Sequence, residues 1–358
     1  MADRKAGRRS TIVAAALAAG GVFLLFTALG VGDRSSKAPR AAPGVTRIAL
    51  YAAETPHVLS SYTFYSVPSS ELALEVAPPT VSPVVSPAQF TGPVAAYRRY
   101  AIAQLGSMEG EVERLTQALA AGDRAGAEEA WRAAYARYLH LGAVYLVGPV
   151  AELNREIDGT AGGLAGGVAN PRFEGLHRIE YGLWTGLDPR TLVSASERLK
   201  TAVRRLRELL AGVAISPLEY ATRAHEILED AQRDLLSGFD VPWSGEGVLA
   251  TEAGLEATEE VISTLHLLLH AEDGENERAL GPTVETELAA LRAVLASLAG
   301  AHGGRLPANS QLTQSQAEQL DGTLGGALEA LAQVPGALEA EPRPVVAPIP
   351  PQDERLEP

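Results

Sequence analysis

The feature that most constrains the fold is a spacing of apolar residues by alternating steps of three and four, repeated along most of the chain. The first run starts at Ala101 and ends at Leu119, shortly before Gly122. Such spacing places the apolar side chains on one face of an α-helix, and glycine or proline marks where each helix ends. Six further runs follow, at about 123–147, 192–209, 216–238, 249–271, 282–299 and 317–331. With a short helix at 171–185 they predict an all-α protein of two antiparallel four-helix bundles.

The first 32 residues predict export across a membrane. Basic residues at positions 4, 5, 8 and 9 precede Thr11–Gly32, a segment without charge that is long enough to span a bilayer. The basic residues favour a cytoplasmic N-terminus with the bulk of the chain outside. The small residues Ala28-Leu29-Gly30 leave signal cleavage open. Residues 1–32 are therefore interpreted as a signal anchor or signal peptide, and the protein as extracytoplasmic and membrane-anchored, or secreted if the signal is cleaved.

Composition divides the rest of the chain into three parts. Residues 33–92 are rich in proline and serine and predict an extended tether, in which 45–52 and 60–67 have the composition of short strands. Residues 93–334 form the predicted helical domain. Residues 335–358 contain seven prolines and a net negative charge, and they predict a disordered tail.

The overall charge and the lack of cysteine exclude several classes of function. The chain has 44 acidic and 30 basic residues, a net charge of −14. Nucleic acid is therefore not expected as a partner, because phosphate binding requires a basic surface. Without cysteine the chain can form neither a disulfide nor a thiolate metal site.

One segment interrupts the helical pattern with glycines, aromatic residues and a candidate metal motif, NPRFEGLHRIEYGLWTG at 170–186. Asn170-Pro171 is predicted to cap a short helix, so His177 and Glu180 lie on one face of it. From there an imidazole and a carboxylate can reach one cation, and this pair suits iron or another divalent metal. The alternative is a hydrogen-bonded core histidine beside a glutamate that pairs with an arginine. Spacing alone favours that alternative.

Several segments resemble the imelysin-like family, whose members include EfeO-type periplasmic iron-uptake proteins. GLHRIEYGLW is similar to the family's His-x-x-Glu motif. GPVAAYRRYAIAQL, AGDRAGAEEAWRAAYARYLHLGAVY and SPLEYATRAHEILEDAQRDLLSGFDVPWSGEGVLA match further family segments in order and spacing. The resemblance implies two helical bundles, a metal site at the motif, and the membrane permease and peroxidase-type partners of an iron uptake system. It does not extend to the N-terminal cupredoxin domain, because residues 45–86 are too few and contain no cysteine.

The resemblance also implies which residues hold the metal. His177 and Glu180 match the motif directly, and Asp158 matches an acidic position associated with the site. Glu226 is a weaker candidate, since a solvated glutamate on a helix face explains it as well. Where relatives have a Tyr-Glu pair, this chain has Tyr138-Leu139, and the loss of one carboxylate predicts weaker binding of a hard cation. Binding should weaken as the pH falls through about 6.5, because imidazole must be neutral to bind a metal.

A second pair of histidines, His266 and His270, is spaced by four residues at the end of a helix. This spacing can bind a metal, but histidine is also favoured at helix C-termini, and the structural interpretation is preferred. Zinc peptidases carry two such histidines with a glutamate directly after the first one. The residue directly after His177 is Arg178, so the His177 segment does not match that motif.

Three functions are left open. The favoured function is an extracytoplasmic iron-binding component of an uptake system that passes the metal to a permease. The first alternative is a bundle that has lost its metal and serves as a scaffold at the cell surface, and Leu139 supports it. The second alternative is a metallopeptidase, and hydrolysis is not expected.

Overall fold

A computed structural model of the chain describes residues 80–81, 85–145, 147–148, 150–270, 277–338 and 343–344. Within these residues the protein is helical apart from one short antiparallel pair, in which β1 (Thr80–Val81) lies beside β2 (Arg343–Pro344). The predicted all-α class is confirmed. No helix in this part of the chain is long and apolar enough to cross a membrane. The predicted anchor at 11–32, the strand-like segments 45–52 and 60–67, and most of the predicted tail lie outside the described residues.

The N-terminal bundle contains helices α1 (Thr91–Ala121), α2 (Arg124–Leu139), α3 (Val150–Asp158), α4 (Gly175–Trp184) and α5 (Val193–Leu210). The long helix α1 packs against α2 and α5, while α3 and α4 pack on each other and on α5. The spacing of three and four explains this packing, because Leu105, Met108, Val112 and Leu115 are completely buried. Gly122 ends α1 in a left-handed conformation, and Asp123 caps α2.

The C-terminal bundle contains α6 (Pro217–Asp230), α7 (Gly247–Leu269), α8 (Glu277–Ala301) and α9 (Gln314–Leu331), followed by the short α10 (Val334–Leu338). Ser216 caps α6 and Pro217 occupies its first turn, as the sequence predicts. Helix α6 continues directly into a π-helical turn, Ala231–Leu235. Helix α7 packs against α6 and α8 and also against α1 and α2, so it joins the two bundles.

Among the helix boundaries that differ from the sequence-based expectation are the end of α2 and the start of α4. Helix α2 ends at Leu139 instead of continuing to 147, and a 3-10 turn, Gly142–Val144, follows. Gly142 lies so close to α6 that a Cβ atom there would be 2.7 Å from Ile227. Asn170 does not cap α4 but accepts a hydrogen bond from the backbone of Arg172 in a turn, and α4 begins only at Gly175.

The residues just before α1 belong to the helical core. Val85 and Phe90 are buried, and the backbone N–H of Val85 donates to the carbonyl of Leu338. Residues 85–92, at the end of the predicted tether, therefore pack on the helical domain.

Candidate metal centre

The end of α3 and the start of α4 meet backbone to backbone, and this contact brings Asp158 beside His177. Gly159 and Gly175 both have positive φ, 72° in each case. A Cβ atom on Gly159 would lie 1.8 Å from the carbonyl oxygen of Glu174, and one on Gly175 would lie 2.4 Å from that of Ile157. Only glycine allows this approach, because it lacks a Cβ and adopts the left-handed region without strain. Glycine at both positions 159 and 175 is thus required for the contact that places Asp158 next to His177.

His177 is buried and its two ring nitrogens face different environments. Nδ1 lies 2.9 Å from Oε2 of Glu180, whereas Nε2 lies 3.2 Å from Oδ1 of Asp158 and 3.7 Å from Oδ1 of Asp240. Among the described residues Nε2 finds no partner in hydrogen-bond geometry, although it is buried. Nε2 therefore points at two carboxylates, one of them at ion-pair distance, without a hydrogen bond of good geometry to either, and in such an arrangement a cation can replace the proton on Nε2.

Glu180 is fully buried and holds the imidazole ring in place. Its Oε1 atom accepts hydrogen bonds from the backbone N–H of Ser244, the hydroxyl of Ser244 and the backbone N–H of Trp243, at 2.9, 2.8 and 3.3 Å. Its Oε2 atom is positioned to accept from Nδ1 of His177. Both oxygens are thus engaged, so the geometry gives Glu180 the part of the carboxylate that orients a metal-binding histidine. The sequence-based expectation placed Glu180 on the cation itself.

Asp240 completes the cluster, and the sequence analysis did not identify it. It lies in the loop between the π-helical turn and α7, and its Oδ2 atom accepts a hydrogen bond of 2.8 Å from the hydroxyl of Tyr135 on α2. Asp158, His177 and Asp240 are close enough for one cation to contact all three. The only sequence signal for Asp240 was its position as an acidic residue in a glycine-containing loop of a segment that resembles the family. That signal does not indicate that the loop packs next to α4.

The electrostatics of the cluster favour a positive charge. Burial lowers the pKa of His177, but the charges of Asp158, Glu180 and Asp240 outweigh it and leave the pKa well above its usual value. Burial raises the pKa of Asp240 to about 6, and the positive charge on His177 opposes that rise. Burial, and then the charges of Asp240 and Asp158, raise the pKa of the Tyr135 phenol well above 10, so it remains a neutral donor. In the metal-free protein a proton on His177 therefore balances part of the acidic charge.

Two residues weighed in the sequence analysis lie apart from this cluster. Glu226 accepts a hydrogen bond of 2.5 Å from the guanidinium of Arg223, whose Nε also donates to the carbonyl of Gly142. Glu226 is thus held in an ion pair on α6, and it is absent from the group of donors around His177. Leu139 is buried in the apolar core at the end of α2, one helical turn after Tyr135.

The donor atoms fit a hard or borderline cation. One imidazole nitrogen and two carboxylates converge, and the two aspartates are 22% and 24% exposed, which leaves room for water to complete the coordination shell. Carboxylates with imidazole are the donors that iron and related metals accept. These candidate donors come from both bundles, since Asp158 and His177 belong to the N-terminal bundle and Asp240 follows α6, the first helix of the C-terminal one.

Comparison with known proteins agrees with this architecture. The imelysin family model, which also bears the name Peptidase_M75, matches residues 93–334. The iron uptake system component EfeO of Yersinia pestis is 23% identical over 278 residues, which are 76% of this chain and 71% of that protein. The protein of the same name from Escherichia coli K12 is 23% identical over 251 residues, 69% of this chain and 64% of its own length.

The matched region covers well over half of the chain and contains nearly all of α1 and the whole of α2 to α9, with the complete His177 cluster. It is all-α, as the sequence predicts. The chain therefore belongs to the imelysin family and is an EfeO-type protein.

Proposed function

We propose that this protein is an extracytoplasmic iron-binding component of an uptake system, and that its cargo binds at Nε2 of His177 and the carboxylates of Asp158 and Asp240. The names of its relatives as iron uptake components support the general role. The specific site rests on the geometry of this chain. Glu180 has the supporting task of orienting the ring.

The observation that carries the proposal is the buried Nε2 atom of His177, which faces two carboxylates and makes no hydrogen bond of good geometry to either. A structural core histidine is expected to satisfy both ring nitrogens, because an unpaired buried polar atom costs about 1–3 kcal/mol. Here Nδ1 is held by Glu180, while Nε2 is directed at two carboxylates 3.2 and 3.7 Å away. For metal bonds of about 2.0–2.2 Å, neighbouring ligand atoms lie about 3 to 3.5 Å apart. A cation would enter this cluster with small movements of the side chains.

The charge of the site favours a highly charged cargo. Two aspartates, with Glu180 behind the ring, surround a single imidazole. Oxygen donors of this kind prefer hard cations, and a trivalent ion gains most from the concentrated negative charge. Binding also requires the loss of the proton from Nε2 of His177, so the metal cation replaces a proton at the site.

The direct test is calorimetric titration of the purified protein with Fe³⁺ in a weak chelator, Fe²⁺ under anaerobic conditions, and Zn²⁺. We expect His177→Gln and Asp240→Asn each to weaken iron binding by about 10-fold or more, which is at least about 1.4 kcal/mol. The matched control is Glu226→Gln, because this glutamate was a weaker candidate from the sequence and is paired with Arg223. The proposal fails if the wild-type protein binds no metal, or if Glu226→Gln weakens binding as much as Asp240→Asn does.

The scaffold alternative makes a different prediction in the same experiment. If the missing carboxylate at Leu139 has abolished binding, the wild-type protein will not take up iron, and only Leu139→Glu will. That outcome would assign the fold an interaction role at the cell surface.

A peptidase function has less support from the site. Hydrolysis needs a carboxylate that is free to act as a general base beside the metal. Both oxygens of Glu180 are already engaged by His177, Ser244 and Trp243. We therefore propose a binding protein and not an enzyme, and incubation with peptide substrates in the presence of Zn²⁺ should produce no cleavage.

The place of the protein in the cell follows from the sequence. We propose that residues 11–32 hold it at the outer face of the membrane, where it would pass the metal to a permease and act together with a peroxidase-type partner. These residues lie outside the described structure, so the proposal rests on their uncharged composition and on the basic residues before them.

A further inference from the structure

A second cluster of metal donors lies at the opposite end of α7 from the loop of Asp240. His266 and His270 follow each other by one helical turn at the C-terminal end of this helix, and Glu285 approaches them from α8. Nδ1 of His266 lies 3.1 Å from Oε1 of Glu285, and Nε2 of His270 lies 3.8 Å from the same atom. One ligand atom from each residue lies within 4.8 Å of the other two. The sequence showed the spacing of the two histidines but not that Glu285 lies beside them.

The ring of His270 is already arranged to offer one nitrogen. Its Nδ1 atom lies 2.9 Å from the backbone carbonyl of His266, and because a carbonyl only accepts, Nδ1 carries the proton. In the neutral ring Nε2 is then unprotonated and faces Glu285. Metal-binding histidines use this same arrangement, in which a backbone carbonyl fixes the tautomer.

The facing helix leaves space for that ring. Gly281 on α8 lies against His270, and a Cβ atom there would be 2.4 Å from Cε1 of the imidazole. The two histidine rings are stacked at a tilt, with their centroids 4.0 Å apart. A glycine at this position therefore lets both rings and the carboxylate share one small surface region.

From this arrangement we infer that His266, His270 and Glu285 form a second metal site, which takes a borderline divalent cation such as Zn²⁺ or Cu²⁺. Tetrahedral coordination with bonds of about 2.0–2.1 Å separates neighbouring ligand atoms by about 3.3 Å, close to the separations of 3.1 and 3.8 Å found here. Two imidazoles and one carboxylate are the donor set that Zn²⁺ and Cu²⁺ favour over ferric iron. His266 and Glu285 are exposed and His270 is partly exposed, so water can occupy the remaining position and the ion can exchange with solvent.

This site is distinct in chemistry and in place from the His177 cluster, and the inference does not depend on the proposed function. The His177 site has one imidazole and two carboxylates, while this one has two imidazoles and one carboxylate. The two sites therefore differ in their preference among metals.

The test uses the full chain with His177→Gln, so that the first site does not contribute. Titration with Zn²⁺ should show one equivalent bound, and adding His270→Asn or Glu285→Gln should weaken that binding by about 10-fold or more. The matched control is His302→Asn, because Nδ1 of His302 also donates to a carbonyl four residues earlier, at 2.8 Å, but belongs to neither donor cluster. It should leave Zn²⁺ binding unchanged.

A further variant tests the geometry without removing a ligand. Gly281→Ala should displace the His270 ring and weaken Zn²⁺ binding, while the helical circular dichroism stays the same. The inference is overturned if the His177→Gln protein binds no Zn²⁺, or if binding survives His270→Asn and Glu285→Gln unchanged. It is also overturned if His302→Asn reduces binding as much as those variants.

Discussion

The variant Glu180→Gln tests whether Glu180 orients the ring of His177 or binds the metal itself. Glutamine has almost the same shape as glutamate but offers one acceptor oxygen instead of two. In the wild-type protein one oxygen of Glu180 accepts from two backbone N–H groups and a hydroxyl, and the other faces Nδ1 of His177. The glutamine oxygen can serve only one of these two sets of donors.

The energies of the two orientations decide which one forms. Turning the amide oxygen toward His177 would leave three buried donors facing an NH₂ group, and each unsatisfied donor costs about 1–3 kcal/mol. Turning the NH₂ group toward His177 keeps those three bonds and forces Nδ1 to become an acceptor. Nδ1 must then lose its proton, and the neutral ring keeps its remaining proton on Nε2, the atom that faces Asp158 and Asp240. The second orientation is favoured, and it blocks the metal-binding nitrogen.

We therefore expect Glu180→Gln to weaken iron binding by about 10- to 100-fold, the range for residues that orient metal-binding histidines. This corresponds to about 1.4–2.8 kcal/mol. Calorimetry measures the affinity, and ¹⁵N spectra of the histidine rings measure the protonation. At neutral pH the wild-type His177 should be protonated on both nitrogens because its pKa is raised. The variant should be neutral with its proton on Nε2.

Two outcomes would refute this reasoning. Unchanged affinity in Glu180→Gln, with a clear loss in His177→Gln, would show that the ring needs no orienting partner. A loss as complete as that of His177→Gln, without a change in ring protonation, would show that Glu180 contacts the metal directly.

Four further predictions test the site, its scaffold and its location. Iron affinity should rise with pH from about 6, where Asp240 ionises, and should continue to rise above 6.5 as His177 loses its proton. Titrations with iron at several pH values measure this, and an affinity that stops rising at pH 6.5 would contradict the raised pKa of His177. Gly175→Ala should lower the free energy of unfolding by more than Gly163→Ala does: both glycines have positive φ (72° and 78°), which costs either alanine about 1–2 kcal/mol, but only at position 175 would the new Cβ meet a carbonyl. Urea unfolding of the two variants measures the difference. Leu139→Glu should raise iron affinity if the new carboxylate reaches the cation, whereas a lower melting temperature without tighter binding would show that the charge is buried and unpaired. Protease added to spheroplasts should digest the chain beyond residue 33, and full protection would disprove an outward-facing ectodomain.

The helices could be predicted because their signals are local. The spacing of apolar residues, Gly122 after α1 and the Ser216-Pro217 cap of α6 depend only on neighbours in the sequence. The early end of α2 could not be predicted in this way. It accompanies a close approach of Gly142 to Ile227, which lie 85 positions apart and meet only in the folded protein.

The site was predicted only in part, for the same reason. His177 and Glu180 are neighbours on one helix, and their spacing was visible. The difference in their tasks comes from Ser244 and Trp243, which reach Glu180 from a loop more than 60 residues later. Asp240 belongs to the same loop, and no local pattern separates it from other surface aspartates. Its part in the cluster depends on the hydroxyl of Tyr135 and on the path of the chain after the π-helical turn.

The division of the ligands between two bundles has a mechanical consequence. A cation bound to His177 and Asp240 would add a cross-link to the packing and the hydrogen bonds that already join the two bundles, such as the one from Tyr135 to Asp240. At 100 times its dissociation constant the cation would stabilise the fold by about 2.7 kcal/mol. The coupling is reciprocal, so any force or contact that draws the loop of Asp240 away from α4 must lower the affinity by the same free energy. The cargo could then be released by a slight separation of the two bundles, with every ligand still chemically intact.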